Sequence, residues 1–414
     1  MSSLLRQLLA AAKGRMFAPE SFSGSNLGYR VGKAVFRIGD GIKSSRRSLR
    51  RWLRSPALAR RMGRFQHSIA KRDWTTARIQ AREIAALAEA AGDARLIEEM
   101  GIALLRLGDY GPVGRLRLES RRISRGSERK EWTGGDVAGA LLVDFVENEA
   151  QGMGGTIQHG RFVAAAAKRA KRCIALVEPR LVPLFNRSFP GVEARAASRE
   201  SKTAAAAEAE QIAGFEHLMA YLGTDAEMIE RGFVPMQAEP KSAAELSARY
   251  RSGHSKPLVG ISWGSSAYAK ELPGLQEWAA LLGAIDAKFV SLQYGSVAAE
   301  IARLEADSGK QIINDASVDQ LADLDRFAAQ IAALDAVVTI SNTGAHLAGA
   351  LGGPTIVIID DHFRRAWPVG VERTPYYPAV TLVAKEARAW SAVMREVAEK
   401  LRAVLAGRGK QTAR

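Results

Sequence analysis

Ala336-Val337-Val338-Thr339-Ile340, Ser341-Asn342-Thr343-Gly344-Ala345-His346-Leu347-Ala348-Gly349-Ala350-Leu351-Gly352-Gly353-Pro354 and Thr355-Ile356-Val357-Ile358-Ile359 follow one another without a break. Two apolar, β-branched runs flank a polar turn and a short Ala/Gly/Leu segment, which predicts strand, turn, helix, strand. Runs of this kind are buried on both faces, so the unit belongs to a parallel α/β sheet. Ligands bind such sheets at the C-terminal ends of the strands. Thr343 and Gly344 open the helix, and their N–H groups have no partner within it. Together with the helix dipole they suit a phosphate or diphosphate. His346, within the first turn, can donate to the same anion. Ser341 and Asn342 either contact it or cap the helix.

Outward from this unit the same alternation continues. Pro257–Trp263, Lys288–Leu292 and Gln311–Ile313 read as strands, with helices near 275–285, 297–307 and 327–334 and a final helix over 389–405. Upstream, Ala138–Val146 and Arg172–Val177 are strands around the Gly-rich turn Gln151–Thr156 and a helix from about Thr156 to Arg169, another βαβ unit. The fold class is therefore α/β, with two Rossmann-like series facing across a cleft. Before them, residues 57–130 read as helices only. Trp74 and the Leu107-Gly108-Asp109-Tyr110 run lie near one tetratricopeptide period apart, so this segment is either a degenerate repeat pair or a helical cap on the next domain.

Charge is concentrated at the N-terminus. Residues 1–72 hold 17 Lys and Arg against two acidic residues, which accounts for the whole net charge of +15 and leaves the rest of the chain balanced. That argues against nucleic acid as a partner of the body. The basic arm, residues 1–56, with Leu4, Leu5, Leu8 and Leu9 at helical spacing, suits an anionic membrane surface, or else a solvated arm packed on a partner. No apolar run approaches the roughly 20 residues of a membrane span. Arg6 and Gln7 break the only segment that resembles a secretory signal. The single cysteine, Cys173, makes neither an internal disulfide nor a thiolate zinc site, and a cytoplasmic setting is expected.

Several blocks resemble the heptosyltransferase-type glycosyltransferases, their tetratricopeptide-fused relatives and, through those, the protein O-linked N-acetylglucosamine transferases. Trp132 with Gly134 and Gly135 comes first. Gln151-Gly152-Met153-Gly154-Gly155-Thr156-Ile157-Gln158-His159-Gly160-Arg161-Phe162 is similar to the family's Gln-Gly-Leu-Gly-Asp-Thr-Ile-Gln-Phe-Ala-Arg-Tyr. Val259–Trp263, Val290–Gly295, Thr343–Gly352 and Thr374-Pro375-Tyr376-Tyr377-Pro378 follow in the family's order. The resemblance spans residues 132–400. It implies a GT-B fold and an inverting transfer of a sugar from a nucleotide-diphosphate donor to a hydroxyl of a protein or surface glycan. It also implies no cofactor and no essential metal, the nucleotide sugar being a co-substrate. The expected division is an arm (1–56), a helical segment (57–130), an acceptor domain (131–245), a donor domain (246–406) and a basic tail (407–414).

On the donor side the resemblance points to Thr343, Gly344, His346 and Ser341, to Gln293 and Tyr294 near the base or ribose, and to Ser265. In a region where relatives often carry a cation and Gly264 supplies none, Lys270 either neutralises leaving-group charge or is a solvated loop lysine. The family's acid after Gly-x-Gly, a base for the acceptor hydroxyl, is Gly155 here. Such a base contributes typically about 10²–10⁴-fold, so its loss either shifts the role to Glu149, His159 or His217, or leaves a nucleotide-sugar-binding or scaffold protein without turnover.

Overall fold

The computed structural model describes residues 56–126, 130–146, 152–265, 271–360 and 367–411. The basic arm, but for its last residue, and Glu149, Gln151 and Lys270 lie outside them. The described residues from Arg61 onward form one compact unit.

Four helices open the described chain: α1 (Pro56–Lys71), α2 (Trp74–Ala90), α3 (Ala94–Arg106) and α4 (Val113–Arg125). The Gly92-Asp93 break is a cap: Asp93 accepts from the Leu96 N–H, as Asp73 accepts from Thr76 at the start of α2. Small residues line the inner face of α2 (Ala77, Ala81, Ala85, Ala88), so α3 approaches closely and buries Ile97, Met100 and Leu104. The outer face of this bundle does not stay open. Gly114 of α4 lies directly on the backbone of Met219 and Ala220, and Arg106, fully buried, donates to the Trp367 carbonyl. Val369 N–H returns a bond to the Arg106 carbonyl at 2.8 Å. The helices thus brace the α/β body.

The first sheet has the order β3-β2-β1-β4, from β1 (Val137–Asp144), β2 (Ala170–Val177), β3 (Val192–Ala196) and β4 (Gln211–Gly214), all parallel. Between β1 and β2 stand α5 (Gly152–Gly160) and α6 (Phe162–Ala167). After β2 come a 3₁₀ turn (Pro179–Leu181) and α7 (Val182–Ser188). Then follow α8 (Arg199–Glu208), α9 (Phe215–Leu222), α10 (Ala226–Arg231) and α11 (Pro240–Arg251). The second sheet, also parallel, is built from β5 (Leu258–Ser262), β6 (Lys288–Ser291), β7 (Ile312–Ile313), β8 (Ala336–Ile340), β9 (Thr355–Ile359) and β10 (Val380–Ala384). Its order is β7-β6-β5-β8-β9-β10. Its helices are α12 (Leu275–Gly283), α13 (Ala298–Ser308), α14 (Leu324–Ala332), α15 (Thr343–Ala350) and α16 (Trp390–Gln411).

In chain order the second sheet runs 3-2-1-4-5-6, the doubly wound pattern, with its switch point between β5 and β8. These two strands and β9 are buried at every position, as covering on both faces requires. The α/β class with two parallel sheets preceded by helices is as expected from sequence.

Three departures from the sequence reading have local causes. The edge strands β3, β4 and β10 were not expected. β3 carries Glu193 and Arg195 where the edge meets solvent, and both pair with neighbours rather than with a core. The described part of the Gly-rich segment is helical: Gly152–Gly155 form the first turn of α5. The last helix continues to Gln411, into the expected tail.

Candidate functional site

Two helix N-termini converge on one cleft. α15 starts at the switch point of the second sheet, and α5 starts beyond β1 of the first. The cleft between them holds about 430 Å³. Thr343, Gly344 and Asn342 form one wall, and Ser265 and Tyr294, at the ends of β5 and β6, another. Met153 and Arg180 enter from the first sheet. Apolar cover comes from Leu292, Leu324 and Phe327. Two parallel α/β sheets facing across such a cleft are the GT-B architecture. A larger groove of about 560 Å³, lined by α12 and α16, shares no residue with it.

The cap of α15 resolves one alternative left open by the sequence. Asn342 accepts from the Ala345 N–H at 3.0 Å, while its amide donates to Ser262 Oγ at 3.0 Å. It ties β8 to β5 across the switch point and leaves the Thr343 and Gly344 N–H groups at the cleft. Gln293 has a comparable role. Its buried Oε1 accepts from Ser262 Oγ (3.0 Å), Trp263 N (3.0 Å) and Gly264 N (2.6 Å), so it shapes the β5 loop from behind. Ser341 accepts from the Trp367 indole at 2.9 Å. Of the expected donor-side residues, Thr343, Gly344, Ser265 and Tyr294 line the cleft, and Gln293, Ser341 and His346 stand behind it.

His346 is the pivot of the interior. It is 6% exposed, stacks on Trp367 with ring centres 4.7 Å apart, and meets the Tyr377 hydroxyl through Nδ1 at 3.0 Å. Burial drives the Tyr377 pKa well up, so the hydroxyl stays protonated. The far edge of the imidazole faces Gly154: a Cβ there would lie 2.7 Å from His346 Cδ2. Gly154 is what lets α5 and α15 approach. Arg161 locks the same region: its Nη1 donates to the Tyr376 carbonyl at 2.8 Å and its Nη2 to that of Ile229. The Gly-Arg-Phe and Pro-Tyr-Tyr-Pro blocks, far apart in sequence, are in direct contact.

The two histidines expected as bases are engaged elsewhere, which revises that reading. His217 is 1% exposed: Nδ1 accepts from Gly214 N–H at 3.0 Å and Nε2 meets Glu131 at 3.0 Å, so it caps α9. His159 is 3% exposed among Phe162, Phe215 and Tyr376, with Nδ1 on the Gly155 carbonyl at 2.9 Å. Neither is among the residues that line the cleft. Burial lowers the His159 pKa to about 4, so the folded protein holds it neutral while an unfolded chain takes up a proton below the usual value of 6.5. The resulting stability is complete above pH 6.5 and is lost as the pH falls towards 4. Between pH 7.5 and 5 this one group is expected to cost about 2 kcal/mol. Urea unfolding of the protein and of His159→Gln at both pH values checks it; equal losses in the two would refute the assignment.

Trp367, Tyr377, Arg161 and Arg180 were not singled out from the sequence as functional. For Arg180 a signal exists: Glu178-Pro179-Arg180 directly follows an apolar strand, where α/β sheets bind ligands. Trp367 has none, because its role depends on folding back over α15. Among the described residues no group of three His, Cys, Asp or Glu is arranged to hold a metal, and no helix is long and apolar enough to cross a membrane.

No protein-family model matches the chain. Over 291 residues, 66% of its length, it is 30% identical to Protein FlbA of Caulobacter vibrioides. It spans about half (48%) of that relative's length. Among solved structures it is similar to the E. coli ADP-heptose LPS heptosyltransferase II, at 13% identity and a TM-score of 0.48, covering 65% of this chain and 99% of that one. It is also similar to the glycosyl transferase family 9 protein of Veillonella parvula, at 12% identity and a TM-score of 0.47, covering 65% and 98%.

Proposed function

We propose that this chain is a GT-B glycosyltransferase that holds a nucleoside-diphosphate sugar in the cleft between its sheets. The observation that carries the reading is the N-terminus of α15, open at Thr343 and Gly344 onto a cleft at the doubly wound switch point. Helix N–H groups aimed there suit a diphosphate. The ordered sequence blocks over 132–400 support the same class. In the reaction, an acceptor hydroxyl attacks the anomeric carbon from the opposite face and gives up its proton to solvent. The bond from that carbon to the diphosphate oxygen breaks, and the diphosphate leaves with the electron pair towards Thr343 and Gly344. The acceptor is a hydroxyl of a protein or surface glycan, and the configuration inverts.

One observation favours a second reading, a nucleotide-sugar-binding protein without turnover. Among the described residues that line the cleft there is no Asp, Glu or His, and Gly155 stands where the family's acid is expected.

Thermal unfolding with ADP, GDP, UDP and CMP, and with their sugars, tests both. A ligand at 100 times its Kd adds about 2.7 kcal/mol, which at roughly 2–4 °C per kcal/mol is a shift of several degrees. One nucleotide is expected to give that shift. No shift with any of them would sink both readings, and a shift without sugar release or transfer would favour the second.

A further inference from the structure

Arg180 is the only charged side chain among the described residues that line the cleft, and it comes from the first sheet, opposite α15. It sits in the 3₁₀ turn that follows β2. Glu178, which caps that turn, accepts from the Arg180 N–H at 3.1 Å and from Nε at 2.7 Å. Nη1 donates across the cleft to the Leu321 carbonyl, beside α14. The guanidinium is thereby aimed rather than mobile, and the side chain remains about one-third exposed. A guanidinium carries five N–H donors, and Nη2 has no protein partner among the described residues. On the second sheet, the rim position Gly264 carries no side chain and is tight: a Cβ there would lie 3.1 Å from the Gln293 amide nitrogen.

From this arrangement we infer that Arg180 supplies the counter-charge for the diphosphate of the donor, reaching it from the acceptor-side sheet. The inference rests on the nucleotide-sugar reading above. Two N–H groups of α15 supply partial charge only, whereas a guanidinium binds phosphate oxygens through charge-assisted, often paired hydrogen bonds. Because the cation and the helix terminus belong to opposite sheets, a diphosphate bridges them. A nucleoside or monophosphate, held by the second sheet alone, does not.

The test is calorimetric titration of the whole chain, and of Arg180→Ala, Arg180→Gln and Arg180→Lys, with the nucleoside diphosphate that stabilises the protein, its monophosphate and its nucleoside. Melting curves check that each variant is folded. Arg180→Ala and Arg180→Gln are expected to weaken the diphosphate at least tenfold and the other two ligands less than threefold, with Arg180→Lys intermediate. Gln keeps a neutral donor where Nε lies, towards Glu178, so its loss of affinity reports the charged guanidinium group. Unchanged diphosphate affinity in Arg180→Ala would overturn the inference while leaving the nucleotide reading intact. Equal weakening of all three ligands would also overturn it, because Arg180 would then serve only to hold the two sheets together. If the unaltered protein binds no diphosphate, the nucleotide reading falls first and the inference with it.

Discussion

Gly114→Ala is expected to destabilise the protein by about 3 kcal/mol or more. An alanine Cβ at this position would lie 2.2 Å from the Ala220 backbone nitrogen and 2.3 Å from the Met219 carbonyl carbon. Neither atom can rotate away, as the end of a side chain could. The whole of α4 must lift from α9 by roughly an ångström, and the dispersion contacts along that seam weaken together. Helix propensity works the other way, since Gly to Ala in an exposed helix gains up to about 1 kcal/mol. Gly63, on the exposed side of α1 with nothing near its missing Cβ, is the matched control. Urea unfolding is therefore expected to show Gly63→Ala at or above the unaltered protein and Gly114→Ala far below it. Ala220→Gly in the Gly114→Ala background is not expected to rescue, because the clash is with backbone. A Gly114→Ala protein of normal stability would mean that the helical segment does not seat on the α/β body as described.

Gly154→Ala is expected to act on ligand binding more than on folding. Its Cβ would press on His346 at 2.7 Å, and His346 has no free direction: Trp367 covers one face, and Tyr377 holds Nδ1. Relief requires α5 to draw away from α15. Overpacking of this kind costs about 1–3 kcal/mol, partly offset by the propensity gain. Because Met153 moves with α5 and Thr343 with α15, the cleft opens, and nucleoside-diphosphate affinity is expected to fall more than tenfold. Titration of the variant with the stabilising nucleotide checks this. Full affinity would show that the two helix N-termini do not form a single site.

Much of the fold is legible from the chain because parallel strands buried on both faces carry continuous apolar, β-branched runs. β5, β8 and β9 can be read directly, and so can the helix of α15 between the last two. The edge strands β3, β4 and β10 cannot. β3, open on one side, carries Glu193 and Arg195, which resemble a loop, and β4 and β10 hold only two and three fully buried residues against five in each of β5, β8 and β9. The site divides in the same way. Thr343 and Gly344 follow from local grammar, a strand end running into a helix. Gln293 stands at a strand end as expected, but its direction, inward to the β5 loop, depends on neighbours 30 residues away. His159 and His217 were plausible bases from residue type alone; packing buries both.

What the sequence determined by itself is the α/β class, the two βαβ series, the helical lead and the start of α15 at Thr343, since these depend on short-range periodicity and on caps. What only the tertiary structure decided is which of the marked residues share a cleft. Gly154 against His346, Arg161 on the Tyr376 carbonyl and Trp367 over α15 are contacts between segments tens to hundreds of residues apart, and Arg180 and Thr343 line one cleft from opposite sheets. No local pattern encodes them, because burial and close approach are set by how the two sheets and the helical brace pack together.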